Sequence, residues 1–341
     1  MWAATAARRR TCLPSPARSS LARTTAAMVR GDRPRSPARR ARAPGQRGLS
    51  PVSGTLAHVI PGDPSLADVV LTGPRLTLRP WQQSDGDRVC AILQDGRMHE
   101  FLALPHPYLP EDAEQALARF AVSRADGTAL ECAVAETDTG RLVGSATVRL
   151  SDDPEIGYWI ATDAQGSGYA AEASIVLARW GFARSLRRIR LCCDVRNLAS
   201  AGTALRAGFR FEGISRNGIT SGGTGRVPEH RGDLARFARL PDDPPGRVEP
   251  AFPPLPDGGL TDGVVTLRLT QPVDAEPFFE QESDPVTVAN GFTGREPARP
   301  AVEAATRRAG LDWLVGPTGA LSIVDTRTGR FAGALRLRRP G

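Results

Sequence analysis

A short pattern written twice, 189 residues apart, constrains this chain more than any other feature. Leu76-Thr77-Leu78-Arg79 returns as Val265-Thr266-Leu267-Arg268, Thr139-Gly140-Arg141 as Thr328-Gly329-Arg330, and Gly144 as Gly333. An offset held constant over so long a span reads as an internal repeat of one folding unit. The second copy is expected to be partial, because it stops at Gly341, where the first copy continues into Glu155 and a glycine-bearing turn. The expected organisation is a tail over residues 1–60, one complete domain over 66–240, a linker rich in Pro, Gly and Asp over 241–259, and a truncated half domain over 260–341.

Charge separates the tail from the rest. Residues 1–50 hold twelve arginines against the single acid Asp32, a net of +11, whereas the whole chain is +7, so the remainder carries −4. The Arg/Pro/Ala-rich tail has no hydrophobic periodicity and cannot bury enough apolar surface to offset its ordering entropy, so it is expected to be disordered. Its composition also resembles an organelle transit peptide, and Met28 is an alternative start. The acidic remainder lacks a basic, aromatic-interleaved helix, so no nucleic-acid partner is expected. No apolar run reaches membrane-spanning length, so no membrane partner is expected either. The chain has no lysine, which removes Schiff-base and P-loop lysine chemistry. Five cysteines without metal or redox spacing and four scattered histidines argue for reduced, packed thiols, a cytoplasmic location and no metal.

Periodicity then places the elements. Residues 75–79 alternate apolar and polar as a strand does. Ser84-Asp85 precedes an amphipathic helix through Val89, Ile92 and Leu93, and Pro110-Glu111-Asp112 opens a second helix. Strands are expected over 130–135, 142–150, 155–160, 188–195, 209–214 and 234–240, with helices after Ala170 and over about 198–207. The order β-α-α-β-β-β-α-β-α-β-β is that of a mixed α/β layer architecture.

The chemistry-bearing feature is the turn Gln165-Gly166-Ser167-Gly168-Tyr169-Ala170, set between a strand and a helix. Unpaired N–H groups and the helix dipole favour an anion there, and glycines let a diphosphate approach the backbone. Gly166-x-Gly168-x-x-Ala171 also fits a dinucleotide fingerprint, with Asp194 ending the next strand where a ribose-binding acid would stand. Against an oxidoreductase of that kind, the turn begins several residues after its strand ends. About ninety residues of structure also precede that strand.

Gln165-x-x-Gly168-x-Ala170, followed by Asn197-Leu198-Ala199-Ser200 and Gly208-Phe209-Arg210-Phe211-Glu212-Gly213, together with Glu155-Ile156-Gly157-Tyr158-Trp159, resembles the GNAT N-acetyltransferase family, in its RimJ/RimL-like branch. The resemblance covers about residues 70–240, and the second copy resembles only the N-terminal half of that fold. It implies a mostly antiparallel mixed sheet flanked by helices and acetyl-CoA as co-substrate. The strands on either side of the turn would splay apart to admit the pantetheine arm, pairing with backbone at Trp159, Ile160 and Ala161. N–H groups of Gly166, Ser167, Gly168, Tyr169 and Ala170 would carry the pyrophosphate, and Gln165 would start the turn.

The acceptor implied is a primary amine, either a protein N-terminus or a small molecule, attacking the thioester directly. Glu155 stands where some members carry a general base, or is a solvated strand-end residue. Ser200 is the hydroxyl that can protonate the departing thiolate. The resemblance also implies that Asn197 and Ser200 contact the cofactor, and both can equally cap their short helix. A second function class stays open: a regulatory module that binds acetyl-CoA without turnover. The second copy, lacking the turn and the Asn-x-x-Ser segment, is expected to bind no acetyl-CoA. The Gly- and Ser-rich residues 217–225 are expected to form a loop near the acceptor.

Overall fold

Strand alternation is visible residue by residue in the first hairpin. β1 (Leu71–Thr72) pairs with β2 (Leu76–Arg79), which buries Leu76 and Leu78 completely and leaves Thr77 and Arg79 half-buried. This computed structural model describes residues 66–221, 230–256, 259–290 and 294–339. The tail expected over 1–60 and residues 222–225 of the expected loop lie outside them, whereas residues 217–221 of that loop belong to a strand that pairs with its neighbour.

Two helices follow. α1 (Gly86–Leu93) buries Val89, Ile92 and Leu93. α2 (Pro110–Ala125) begins on Pro110, whose missing N–H would have been unpaired at that position anyway. The expected cap at Asp85 is used differently. Its carboxylate is buried, takes two hydrogen bonds of 2.8 Å from the Arg79 guanidinium, and accepts the Gln82 N–H at 2.8 Å.

β3 (Ala129–Glu136), β4 (Leu142–Arg149), β5 (Glu155–Ile160), β6 (Ile189–Asp194), β7 (Arg210–Ser221) and β8 (His230–Arg239) complete a sheet of order β1-β2-β3-β4-β5-β6-β8-β7. Every pairing is antiparallel except β5 with β6. A parallel pair needs a crossover, and α3 (Tyr169–Ala183) supplies it. α4 (Leu198–Arg206) leads from β6 into β7. The main core lies where Leu177 of α3 and Ala201, Ala204 and Leu205 of α4 meet Leu76, Leu130, Val134, Ile156, Leu191 and Phe237 of the sheet. A second cluster joins α1, Met98 and Tyr108 to Ala133, Leu142 and Ala161 on the sheet's other face. The fold is thus a mixed α/β layer structure with a mostly antiparallel sheet flanked by helices, as expected.

The C-terminal region forms a second sheet, β12-β11-β10-β9, from β9 (Leu260–Thr261), β10 (Val265–Leu269), β11 (Thr318–Asp325) and β12 (Phe331–Arg338). α5 (Ala275–Ser283), α6 (Pro285–Asn290) and α7 (Arg299–Val315) connect β10 to β11. Its geometry recurs at the 189-residue offset. Leu76 pairs with Glu136 and Val265 with Asp325, and the β3–β4 and β11–β12 ladders shift register after Val134 and Ile323. Gly140 and Gly329 turn their hairpins at φ 68° and 67°. Arg268 grips Asp274 at 2.7 Å, and Asp274 accepts the Gln271 N–H at 2.8 Å, as in the Arg79–Asp85 arrangement.

Part of the segment expected as a linker is pinned. Val248 N–H donates to Leu205 O at 2.8 Å and Ala251 N–H to Leu314 O at 2.7 Å.

Removing one partner of a buried ion pair strands the other. Asp85→Ala is therefore expected to lower the unfolding free energy by about 3 kcal/mol, read from urea denaturation. A loss below about 1 kcal/mol would place the pair with exposed surface bridges instead.

Candidate active site

β5 and β6 pair for only two residues, Glu155 with Arg190 and Ile156 with Leu191, and then part. Ala161 N–H donates to Val143 O on β4 at 2.9 Å. Backbone alternation therefore turns the main-chain groups of Trp159 and Ala161 toward β4, and those of Tyr158 and Ile160 toward the gap. Of the three residues expected to meet a pantetheine arm, only Ile160 faces the opening. Its carbonyl already accepts the Gln165 side-chain amide at 3.1 Å. Gln165 thus fastens the turn to the end of β5.

The turn itself is built on two left-handed glycines, Gly166 at φ 79° and Gly168 at φ 80°, the latter standing at the N-terminus of α3. A side chain at either would be strained. No atom lies within 4 Å of where a Cβ on Gly166 would stand, so the backbone there is open to an approaching group. The first N–H groups of α3, those of Tyr169 and Ala170 among them, have no partner inside the helix, and the dipole makes that end attractive to anions. Beside Gly168 a groove of about 900 Å³ runs along α3, lined by apolar residues such as Leu71 and Val176 and by Arg75, Arg179 and Arg206.

Two residues that sequence reasoning left unassigned hold the turn in place. Arg75 donates from Nη1 to Ser167 O at 2.9 Å and from Nε to Glu172 at 2.8 Å, while its backbone N–H donates to the other Glu172 oxygen at 2.7 Å. Its guanidinium also lies 4.9 Å from the Tyr169 ring centroid. The Tyr169 hydroxyl donates to Glu136 at 3.1 Å, and Arg141 and Thr139 hold the Glu136 carboxyl down to about 2. An arginine before the first long strand and an acid in the first turn of α3 were the only sequence signals for this cluster.

Across the gap, Ser200 Oγ lies 2.8 Å from the Tyr158 hydroxyl, so a residue of α4 meets a residue of β5 over the parted strands. Burial pushes the Tyr158 phenol up to about 12, so it stays protonated. Asn197 caps α4: its Oδ1 accepts the Ser200 N–H at 3.0 Å.

Glu155 is elsewhere. It sits at the closed end of the pair, on the opposite sheet face from Tyr158, in contact with Arg149 at 2.5 Å and Arg190 at 3.3 Å. About 13 Å of strand separates it from Trp159. Another carboxylate on that face, Glu131, is aligned through Thr147 with Gly157, accepts from the Thr147 hydroxyl, and is raised by burial. The thiols of Cys192 and Cys193 are pushed up to about 12 by burial, which makes both poor nucleophiles at neutral pH. Among the described residues no three His, Cys, Asp or Glu side chains cluster as a metal site, and no helix is long and apolar enough to cross a membrane.

Residues 75–210 match the family model described as an acetyltransferase (GNAT) domain. The match spans 136 of the chain's 341 residues. YdaF of Bacillus subtilis (strain 168), assigned as a ribosomal N-acetyltransferase, is 38% identical over 66 residues, a match covering 19% of this chain and 36% of that relative. Similar solved structures include the ribosomal-protein-S5-alanine acetyltransferase from Vibrio fischeri, at 20% identity and TM-score 0.44, covering 52% of this chain and 100% of that one. Mycobacterium smegmatis RimJ in complex with CoA-disulfide is 20% identical with TM-score 0.45, covering 52% and 89%.

The Glu136 contact has a definite acid response. Its folded value of about 2 lies below the ordinary 4.5, so its contribution is complete above pH 4.5 and disappears as pH falls toward 2. Glu136→Gln is expected to flatten the pH dependence of unfolding stability over that interval. Equal slopes for variant and wild type would show that Glu136 is not ion-paired in solution.

Proposed function

We propose that the GNAT domain over residues 75–210 moves an acetyl group from acetyl-CoA to a primary amine that attacks the thioester directly. One observation carries this reading: β5 and β6 part beside a left-handed glycine turn at the N-terminus of α3, and Ser200 reaches across the gap to Tyr158. A thioester on a long, pyrophosphate-bearing arm fits such a gap. Gly166, Ser167, Gly168, Tyr169 and Ala170 would hold the pyrophosphate through backbone N–H groups, and Arg179 and Arg206 would face further phosphate along the groove. The Ile160 N–H faces the gap and would orient the pantetheine arm, while Trp159 and Ala161 support β5 from the β4 side.

Ser200 would protonate the departing thiolate. Tyr158, kept neutral by burial, can donate to Ser200 Oγ and leave the serine proton free for that role. For the amine proton two carboxylates on the Trp159 face are available. Glu155 would have to yield a contact to Arg149 or Arg190 first, whereas Glu131 is half-buried and raised. Much of the rate would come from holding the amine beside the thioester. The acceptor class is a protein N-terminal amine or a small-molecule amine. The ribosomal-protein acetyltransferases among the similar proteins support the former. A cytoplasmic location fits such an acceptor.

The C-terminal sheet is read as a truncated second copy of the same fold, covering residues 260–341 after the complete domain over 66–240. The shared register and the paired Arg–Asp grips support this. Position 264, equivalent to Arg75, is an exposed valine, so the residue that steadies the glycine turn has no counterpart there. This copy would bind no acetyl-CoA.

Thiol release from acetyl-CoA over a panel of amines and peptides tests the reading. Gly168→Val should weaken coenzyme A binding by about tenfold or more, the equivalent of one lost charge-assisted hydrogen bond. Unchanged affinity by calorimetry would remove the turn from the cofactor site. Ser200→Ala should lower kcat about a hundredfold with little change in KM for acetyl-CoA. Binding without turnover on any amine would replace the enzyme by a regulatory module.

A further inference from the structure

The helix that carries Ser200 is held from behind by the C-terminal region. Leu311 of α7 is fully buried in the main core of the first sheet, with Leu198 of α4 and Leu314 and Val315 of α7 packed against the same cluster. Gly310 lies so close to α4 that a Cβ on it would overlap Leu198. The segment between the two sheets ties together the C-terminal turns of both helices. Val248 N–H binds the Leu205 carbonyl in the last turn of α4. Ala251 and Phe252 N–H groups bind the Leu314 and Trp313 carbonyls of α7. Trp313 in turn donates to Pro253 O at 2.8 Å and stacks on Phe252 at 4.9 Å between centroids.

This docking is not inherited from the geometry that recurs along the chain. At the 189-residue offset, Gly310 and Leu311 correspond to Ala121 and Val122 of α2. Val122 is 58% exposed and packs against no helix equivalent to α4, whereas Leu311 is at 0%. One face of a common helix is solvated in the first sheet's domain and converted into an interface in the second. The interface lands on Leu198, the residue after the Asn197 cap and two before Ser200.

We propose that residues 248–253 together with α7 form a built-in brace that fixes the N-terminal turn of α4, with Gly310 and Leu311 as positioning residues for the Ser200 hydroxyl. The inference rests on the acetyl-transfer role given to Ser200 above. Pushing on Leu198 bears on the first turn of α4 and leaves alone both the glycine turn of α3 and Arg206 at the far end of α4, so it should move the rate and spare cofactor affinity.

The test uses the full chain. Gly310→Val pushes on Leu198, and Leu198→Ala in the same chain restores the space. Gly310→Val should lower kcat about tenfold or more, as sub-ångström to ångström misplacement of a reacting group does, with KM for acetyl-CoA within about twofold of wild type. The double variant should recover most of kcat. Hydrogen exchange supplies a readout apart from turnover. Amides of residues 198–206 should exchange faster in Gly310→Val and return toward wild type in the double variant. Leu311→Ala, which removes contacts without a clash, should show the same split in weaker form. Wild-type kcat and wild-type exchange in Gly310→Val would overturn the brace, as would a kcat loss that merely follows the folded fraction and is not rescued by Leu198→Ala. A wild-type chain that turns over no amine would instead remove the acetyl-transfer reading, and the exchange measurements would still decide whether α4 is braced.

Discussion

The structure turns on the parting of β5 and β6 after Ile156 and Leu191. A strand pair that opens in mid-sheet leaves main-chain donors and acceptors without partners, and each such group costs about 1–3 kcal/mol if it is also denied water. Gln165 answers part of that cost by supplying a side-chain donor to the Ile160 carbonyl, and the Tyr158 hydroxyl meets the Ser200 side chain across the opening. The gap that results has polar groups on its walls and a helix N-terminus at its mouth, and Gln165 fastens the glycine turn to the last residue of β5 beside it.

The turn needs outside support because its own sequence gives it little. Two glycines in the left-handed region bring conformational freedom with their permissiveness, and freedom is what a preorganised anion site must lose. Arg75 removes it from the β2 side by gripping the Ser167 carbonyl while Glu172 grips Arg75 by both side chain and backbone. Tyr169, between Arg75 and Glu136, extends the clamp to β3. The first hairpin therefore steadies the turn from outside it.

That clamp marks the boundary of what the sequence could convey. Period-two alternation at Leu76 and Leu78, the glycines of the turn and the Asn197 cap are local signals, and all are realised locally. Arg75 and Glu172 are 97 residues apart, and only the folded sheet brings them together. Glu155 illustrates the same limit from the other side. Its place at a strand start was legible, but the arginines that occupy it come from β4 and from the parallel neighbour β6. Parallel pairing leaves no short-range trace. Likewise, the facing of Ile160 and the turning away of Trp159 and Ala161 follow from which edge β4 occupies, a matter of register and not of residue type. The segment over 241–259 reads as a linker by composition, yet Val248 and Ala251 make hydrogen bonds as specific as those of a helix cap.

The recurring geometry separates two kinds of information in one chain. The recurring positions keep their chemistry: the Arg–Asp grip, the glycine at the hairpin, the ladder irregularity. Ala121 and Val122 of α2 are apolar like Gly310 and Leu311 of α7, but the first pair is exposed, whereas Gly310 lies against α4 and Leu311 in the main core. Leu311 is buried because the core of the first sheet is its neighbour, whereas Val122 is exposed. An apolar helix face is driven to bury itself, since burying it is worth about 25 cal/mol per Å². Once it docks, whatever it docks on becomes stiffer. Here that is the helix whose first turn presents Ser200 to the gap. The second sheet, with no glycine turn of its own among the described residues, is thereby coupled to the site of the first.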